Sequence, residues 1–132
     1  MRTFLDTNIL LRYFEEMEVL VDFMKKVSSK KDTFFIPSLV LNEISWTLQR
    51  FYRVPKSKVI IFMESILAVD NFKVIYKYDF ANALHLYKTV NIKLNDCLIW
   101  SFMEKDDQIV SFDKDFDKLP RIKRVEPKDL LV

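Results

Sequence analysis

The sequence predicts an α/β fold: a single three-layer α/β/α domain over residues 1–132 with a central parallel sheet. Three observations predict it. Short β-branched and aromatic runs recur at Thr3–Leu5, Thr33–Ile36, Lys73–Tyr76 and Gln108–Phe112, mostly separated by stretches of helical periodicity. Parallel strands need such crossovers, and helices then cover both faces of the sheet. The composition, 50% hydrophobic and 30% charged over 132 residues, is that of a globular chain able to bury roughly two-thirds of its unfolded surface. Finally, two apolar runs lead into an aspartate: RTFLDTN reaches Asp6 and IVSF reaches Asp113. In open parallel sheets the carboxyl ends of the strands are where ligands bind.

The elements follow in order. The strand Thr3–Leu5 leads into helix to about Lys30, broken near Glu15–Met17. After the strand Thr33–Ile36, Pro37-Ser38 starts a second helical region, with Leu41, Ile44, Leu48 and Phe51 on one face. Pro55-Lys56-Ser57 opens a helix through Val69 that Asn71 can cap. Lys73–Tyr76 is strand, and Tyr78–Thr89 is helix with Ala81, Leu84 and Tyr87 or Lys88 setting its faces. Asn95–Glu104 is a shorter helix, Gln108–Phe112 strand, and Ile122–Val125 an edge strand ended by Pro127.

Several function classes are excluded. The chain has no glycine, so it cannot form the usual phosphate-binding loops, where backbone amides approach phosphate closely. Left-handed backbone positions then fall to asparagine, with Asn71 and Asn91 the candidates. A single cysteine, Cys97, rules out an intrachain disulfide framework and a cysteine zinc site; it reads as a packing residue. The one histidine, His85, leaves little for a histidine metal site or triad. The opening lacks the continuous apolar stretch of a signal peptide, and the apolar runs are too short to cross a bilayer. A cytoplasmic protein without membrane partners is expected. A net charge of +2 does not by itself argue for nucleic acid.

The acids carry the chemistry. Asp6 or Asp113, taken alone, reads equally well as a helix cap. Asp96, however, shares a helical face with apolar Ile99 and Met103, and Glu43 lies in line with Val40 and Thr47 beside the packed stripe. A carboxylate on such a face is costly unless paired or bound to metal. Four such placements argue for one shared site. Carboxylates gathered without histidine or cysteine suit a hard cation, Mg²⁺ or Mn²⁺, able to activate water against a phosphodiester.

At these residues the sequence resembles the PIN-domain nucleases, which include VapC-type toxins. The resemblance spans essentially the whole chain: FLDTN at 4–8, LVLNEISWTL at 39–48, NDCLIW at 95–100 and SFDKDF at 111–116. It implies a sheet ordered 3-2-1-4-5 and an acidic quartet of Asp6, Glu43, Asp96 and Asp113, with Asp6 and Asp96 the foremost metal ligands. Asn8 and Ser111 would support them through hydrogen bonds, and Asp115 and Asp117 compete for the place of a variable polar residue beyond the last acid. The activity implied is endoribonuclease, as the toxin of a toxin–antitoxin pair. A housekeeping PIN nuclease and a non-catalytic module of the same fold are the alternatives. A strand-end-aspartate phosphatase is disfavoured because Asn8 stands where a second aspartate is needed. A receiver domain lacks its adjacent acidic pair.

Further along, Lys114, Lys118, Arg121, Lys123, Arg124 and Lys128 form a basic stretch able to follow an RNA backbone, although an ordinary solvated surface explains most of them better. The regions Asn8–Val27 and Ser57–Leu67 carry apolar residues nearly all the way round. That predicts a homodimer and a groove for an apolar antitoxin segment.

Overall fold

The computed structural model describes residues 1–27 and 33–130, the side chains of residues 24–27 apart. Its five strands are β1 (Thr3–Leu5), β2 (Phe34–Pro37), β3 (Phe72–Ile75), β4 (Gln108–Val110) and β5 (Lys123–Val125). They form one sheet, β3-β2-β1-β4-β5, every pair parallel. The order expected from the family resemblance is the order found.

Successive side chains of a strand point to opposite faces. Phe4 and Leu5 on β1, and Ile109 and Val110 on β4, are all fully buried. Both faces of the central strands are therefore covered, as a parallel sheet requires. The covering helices are α1 (Thr7–Arg12), α2 (Met17–Val27), α3 (Ser38–Arg50), α4 (Lys56–Leu67), α5 (Phe80–Tyr87) and α6 (Leu94–Ser101). Pro37 and Pro55 stand at the N-caps of α3 and α4, where a missing N–H costs little. The expected break near Glu15–Met17 is real, since α1 ends at Arg12 and α2 starts at Met17; continuation to about Lys30 lies outside the described residues.

Three expectations need correction. Phe51 does not join the buried face of α3. That face is Val40, Ile44 and Leu48, while Phe51, past the last turn, is 64% exposed against Trp46. On α5 the buried residues are Ala83 and Leu86, so the faces set by Ala81, Leu84 and Tyr87 point outward. Among the described residues, positive φ occurs at Glu15, Arg53, Asp106 and Arg121, not at Asn71 or Asn91. Without glycine, the left-handed positions fall at tight connections whose geometry the neighbouring elements dictate. Arg53 reverses the chain after α3 so that the Val54 amide returns to the Leu48 carbonyl at 2.9 Å. Asp106 is held by its amide on the Arg121 carbonyl at 2.8 Å. Asn71 instead gives its carbonyl to the Phe34 amide at 2.8 Å, at the entry to the β2–β3 pairing.

The chain leaves β1 toward β2 and returns through β4 on the other side of β1. The β1/β4 boundary is thus the topological switch point, where an open parallel sheet parts its crossovers into a crevice. No helix among the described residues is long and apolar enough to cross a membrane.

Candidate metal centre and active site

Asp6 follows β1 directly and is 5% exposed. It caps α1, its Oδ1 accepting from the Thr7 amide at 2.7 Å. Capping and a place in the acidic site are therefore compatible, because the cap uses one oxygen and leaves the other. Oδ2 accepts from the Ser111 hydroxyl at 2.6 Å and from the Asn8 amide at 3.4 Å. Ser111 is fully buried at the end of β4. Its oxygen accepts in turn from Asn8 Nδ2 at 3.1 Å and from the Asp113 amide at 3.0 Å. One donor and two acceptor positions exhaust a hydroxyl, so Ser111 locks three site residues at once.

Asp113 does not end a strand, since β4 stops at Val110. Ser111 and Phe112 carry the chain out of the sheet, and Asp113 caps a 3₁₀ turn, Lys114–Lys118, by accepting from the Asp115 amide at 2.9 Å. That turn bends the chain back. Asp113, Asp115 and Asp96 each offer an oxygen within 4.8 Å of the others. Asp96 comes from the first turn of α6 and is 3% exposed. Its Oδ2 is buried and has no hydrogen-bond partner among the described residues. A buried carboxylate oxygen left without a hydrogen-bond partner typically costs ~1–3 kcal/mol, more when charged, a cost that a bound cation would offset. The donor set, carboxylates only, fits a hard divalent cation.

Glu43, half-buried on α3, accepts from the Asn95 side-chain amide. Asp6 and Glu43 lie outside the group of three but share its electrostatics. Burial pushes Asp96 up from the ordinary 3.8 to about 7; Lys93 opposes this, while Asp6, Asp113 and Glu43 add to it. Burial also raises Asp6, against the Ser111 and Thr7 hydrogen bonds, with Asp113 adding to the rise. Glu43 is raised by burial and then by Asp6. Burial alone would lower Lys93, but Asp96, Asp113, Glu43 and Asp6 together hold its charge and raise it.

Lys93 and Asn95 carry no metal-ligand signature, and the sequence reading gave neither a role. The signal for Asn95 was its place beside Asp96 in NDCLIW. The basic stretch disperses: Arg124 is buried to 12% exposure between Asp117 and Glu126, both at 3.0 Å, and donates to the Ser111 carbonyl at 3.1 Å. Asp117 is thereby turned to Arg124, while Asp115 joins the group and pairs with Lys118 at 3.2 Å. Arg121 lies over the Trp100 ring, 4.2 Å from its centroid. Lys114, Lys123 and Lys128 are exposed. His85 is exposed on α5 and Cys97 is buried.

A parallel α/β domain with carboxylates from several elements gathered at its switch point defines a class of protein whose sheet edge is able to hold a cation. Residues 3–122 match the PIN domain, and the chain belongs to the PIN-domain family. It is similar to the VapC ribonuclease of Aquifex aeolicus (strain VF5), with 30% identity over 121 residues, 87% of this chain and 90% of that protein. Its fold is similar to a chain in the crystal structure of VapBC2 from Rickettsia felis bound to a DNA fragment from their promoter. The TM-score is 0.64 at 20% identity, covering 96% of this chain and 98% of that one. PIN nucleases are metal dependent, and the acidic group found here is able to bind a metal.

Proposed function

We propose that residues 1–132 act as one nuclease unit: a metal-dependent endoribonuclease, cytoplasmic, and the toxin of a toxin–antitoxin pair. The observation that carries this is the unpartnered, buried Asp96 Oδ2 within a group of carboxylates at the switch point. The similarity to a VapC ribonuclease over most of both chains supports the same reading. Asp96, Asp113 and Asp115 would hold Mg²⁺ or Mn²⁺, with Asp6 and Glu43 completing the acidic set from β1 and α3. The bound ion supplies Lewis acidity toward a phosphodiester oxygen and a water. The protein's own groups do the rest. Asn8 and Ser111 fix Asp6, and Asn95 orients Glu43. Glu43, its proton affinity raised by burial and by Asp6, accepts a proton from the attacking water. Lys93 presents a positive charge to the phosphate. A binding module would have no use for an acid left unpartnered at such a cost.

The antitoxin occupies the groove between the α1–α2 junction and α4. This depression of about 710 Å³ is lined by Phe14, Met17, Ile61 and Phe62 together with Glu15, Glu16 and Glu18, which outnumber Lys58, itself paired with Glu15 at 3.4 Å. An apolar segment flanked by basic residues suits it. A homodimer accounts for the outer face of α4 away from that groove, where Ile60 and Leu67 are 44% and 57% exposed. Light scattering should report twice the chain mass of 15.9 kDa; a monomer would remove the dimer.

The test of the activity is cleavage of a random-sequence RNA pool with Mg²⁺ or Mn²⁺, abolished by EDTA and by Asp96→Asn. Cleavage that survives both would defeat the reading.

A further inference from the structure

A second depression, of about 440 Å³, opens beside the acidic site. Leu11, Phe14, Leu48 and Val54 line it with apolar groups, and Arg12, Tyr52 and Asn8 with polar ones; Phe14 is shared with the groove beside α4. This size falls in the ordinary range for small-molecule sites, roughly 300–1,000 Å³. Asn8 belongs to both places, since its amide donates to Asp6 Oδ2 and Ser111 Oγ while the residue lines the pocket. Whatever fills the pocket is one side chain away from the acids.

The walls are built in advance. Tyr52 is 67% exposed. The left-handed Arg53, at φ 56°, turns the chain between Tyr52 and Val54, and the Val54 amide on the Leu48 carbonyl at 2.9 Å fixes that turn. The Arg12 guanidinium lies 5.0 Å from the centroid of the Phe112 ring. The Phe112 amide is itself tied to Asn8 Oδ1 at 3.3 Å. Arg12 forms no ion pair among the described residues, so its charge is available to a ligand. An exposed phenol, a guanidinium plane and an apolar lining match the face of a nucleobase, which stacks on such groups with little regard to sequence. The guanidinium also complements the phosphate of that nucleotide.

We infer that this pocket is a nucleobase subsite for a nucleotide flanking the scissile phosphate, with Tyr52 and Arg12 as its stacking and charge-bearing walls. The inference rests on the nuclease reading above and names how the substrate is positioned. The subsite would set which single-stranded segment lies across the acids.

On an RNA the parent chain cuts, Tyr52→Ala should raise KM about tenfold, the lower end of the range for losing one stacked base, and lower kcat far less. Arg12→Ala should act in the same direction. Tyr52→Phe should restore the parent KM, because the ring and not the hydroxyl stacks, and the rise in Tm caused by Mn²⁺ should be unaltered in all three. Replacing one nucleotide beside the cut by an abasic ribose should slow the parent about tenfold and Tyr52→Ala no further. An unchanged KM in Tyr52→Ala, or an abasic loss as large in Tyr52→Ala as in the parent, overturns the subsite while leaving the nuclease reading intact. If Tyr52→Ala keeps its KM and loses only a protein partner, the pocket is a protein site and the proposal fails. A parent chain that cuts nothing in a random-sequence pool removes the nuclease reading and the subsite together.

Discussion

Ser111 donates its hydroxyl to Asp6 Oδ2 at 2.6 Å, joining the ends of two neighbouring strands 105 residues apart in sequence. The bond acts on proton affinity as well as position. It partly offsets the burial that raises Asp6, so its loss should push Asp6 further toward the protonated form. Groups that hydrogen-bond metal ligands typically change metal affinity by about 10–100-fold when removed. Ser111→Ala should therefore weaken Mn²⁺ binding by about tenfold at neutral pH, and the deficit should shrink as pH rises. Calorimetric titration at two pH values checks this. Equal affinity in parent and variant would mean Asp6 is not coupled to the metal.

The metal-free protein should lose stability as pH rises from about 4 to 8. Asp6, Glu43 and Asp96 all have folded values above their ordinary ones, 3.8 for the aspartates and 4.5 for the glutamate. An acid raised in this way binds its proton more tightly in the folded state. Its penalty is absent below the unfolded value and complete above the folded one. For Asp96 the window runs from 3.8 to about 7, an upper bound on the order of 4 kcal/mol. Lys93, also raised, contributes stability that is lost only above its ordinary 10.5, outside this window. In EDTA, Tm at pH 5.5 should exceed Tm at pH 8, and saturating Mn²⁺ should remove or reverse the difference. A metal-free Tm that climbs with pH would contradict the assignment.

Asp96→Asn should separate charge from shape. The amide is nearly the same size but adds no charge to the group formed with Asp113 and Asp115. Without metal the variant should melt roughly 5 °C higher, the shift expected for about 1 kcal/mol in a domain of this size. With saturating Mn²⁺ the order should invert, because only the parent gains binding energy. Differential scanning fluorimetry with and without Mn²⁺ reads both halves. A variant that gains as much from Mn²⁺ as the parent would place the cation elsewhere.

What the sequence disclosed follows a physical divide. Strands buried on both faces read as apolar runs, and prolines mark helix starts, so β1, β2 and the openings of α3 and α4 were legible. The acids were legible because Asp96 and Glu43 interrupt packed faces. The exit from β4 was not. Gln108 to Phe112 reads as continuous strand, and only the Ser111 and Arg124 contacts show where the chain leaves the sheet. The choice between Asp115 and Asp117 was equally hidden, since it depends on Arg124, which comes back beside them only through β5. Lys93 was invisible because a lysine carries no sign of its neighbours.

Arg2 and Asp107 give the last prediction, one of stability away from the site. Asp107 is 3% exposed and accepts from the Arg2 amide at 2.8 Å, from Arg2 Nε at 3.1 Å and from the Glu104 amide at 2.7 Å. The guanidinium it holds lies 5.0 Å from the Phe4 ring centroid and 5.5 Å from that of Phe35. One carboxylate thus fastens the entry of β1 to the loop before β4, the pair of strands that frames the acids. Asp107→Ala leaves two amides without their acceptor and the partly buried guanidinium with only the Phe102 carbonyl at 3.5 Å and Glu104 at 3.7 Å. Breaking a buried pair from one side typically costs about 3–5 kcal/mol. Arg2 is 28% exposed on its side chain, so water restores part of the loss and about 2–3 kcal/mol is expected. That corresponds to a fall in Tm of roughly 10 °C. Arg2→Met, which removes the charge but keeps the stem over the two rings, should cost less than Asp107→Ala. Urea unfolding of both variants, with unchanged slope, provides the comparison. Equal losses would mean that packing over Phe4 and Phe35, not the carboxylate, holds the two strand entries together.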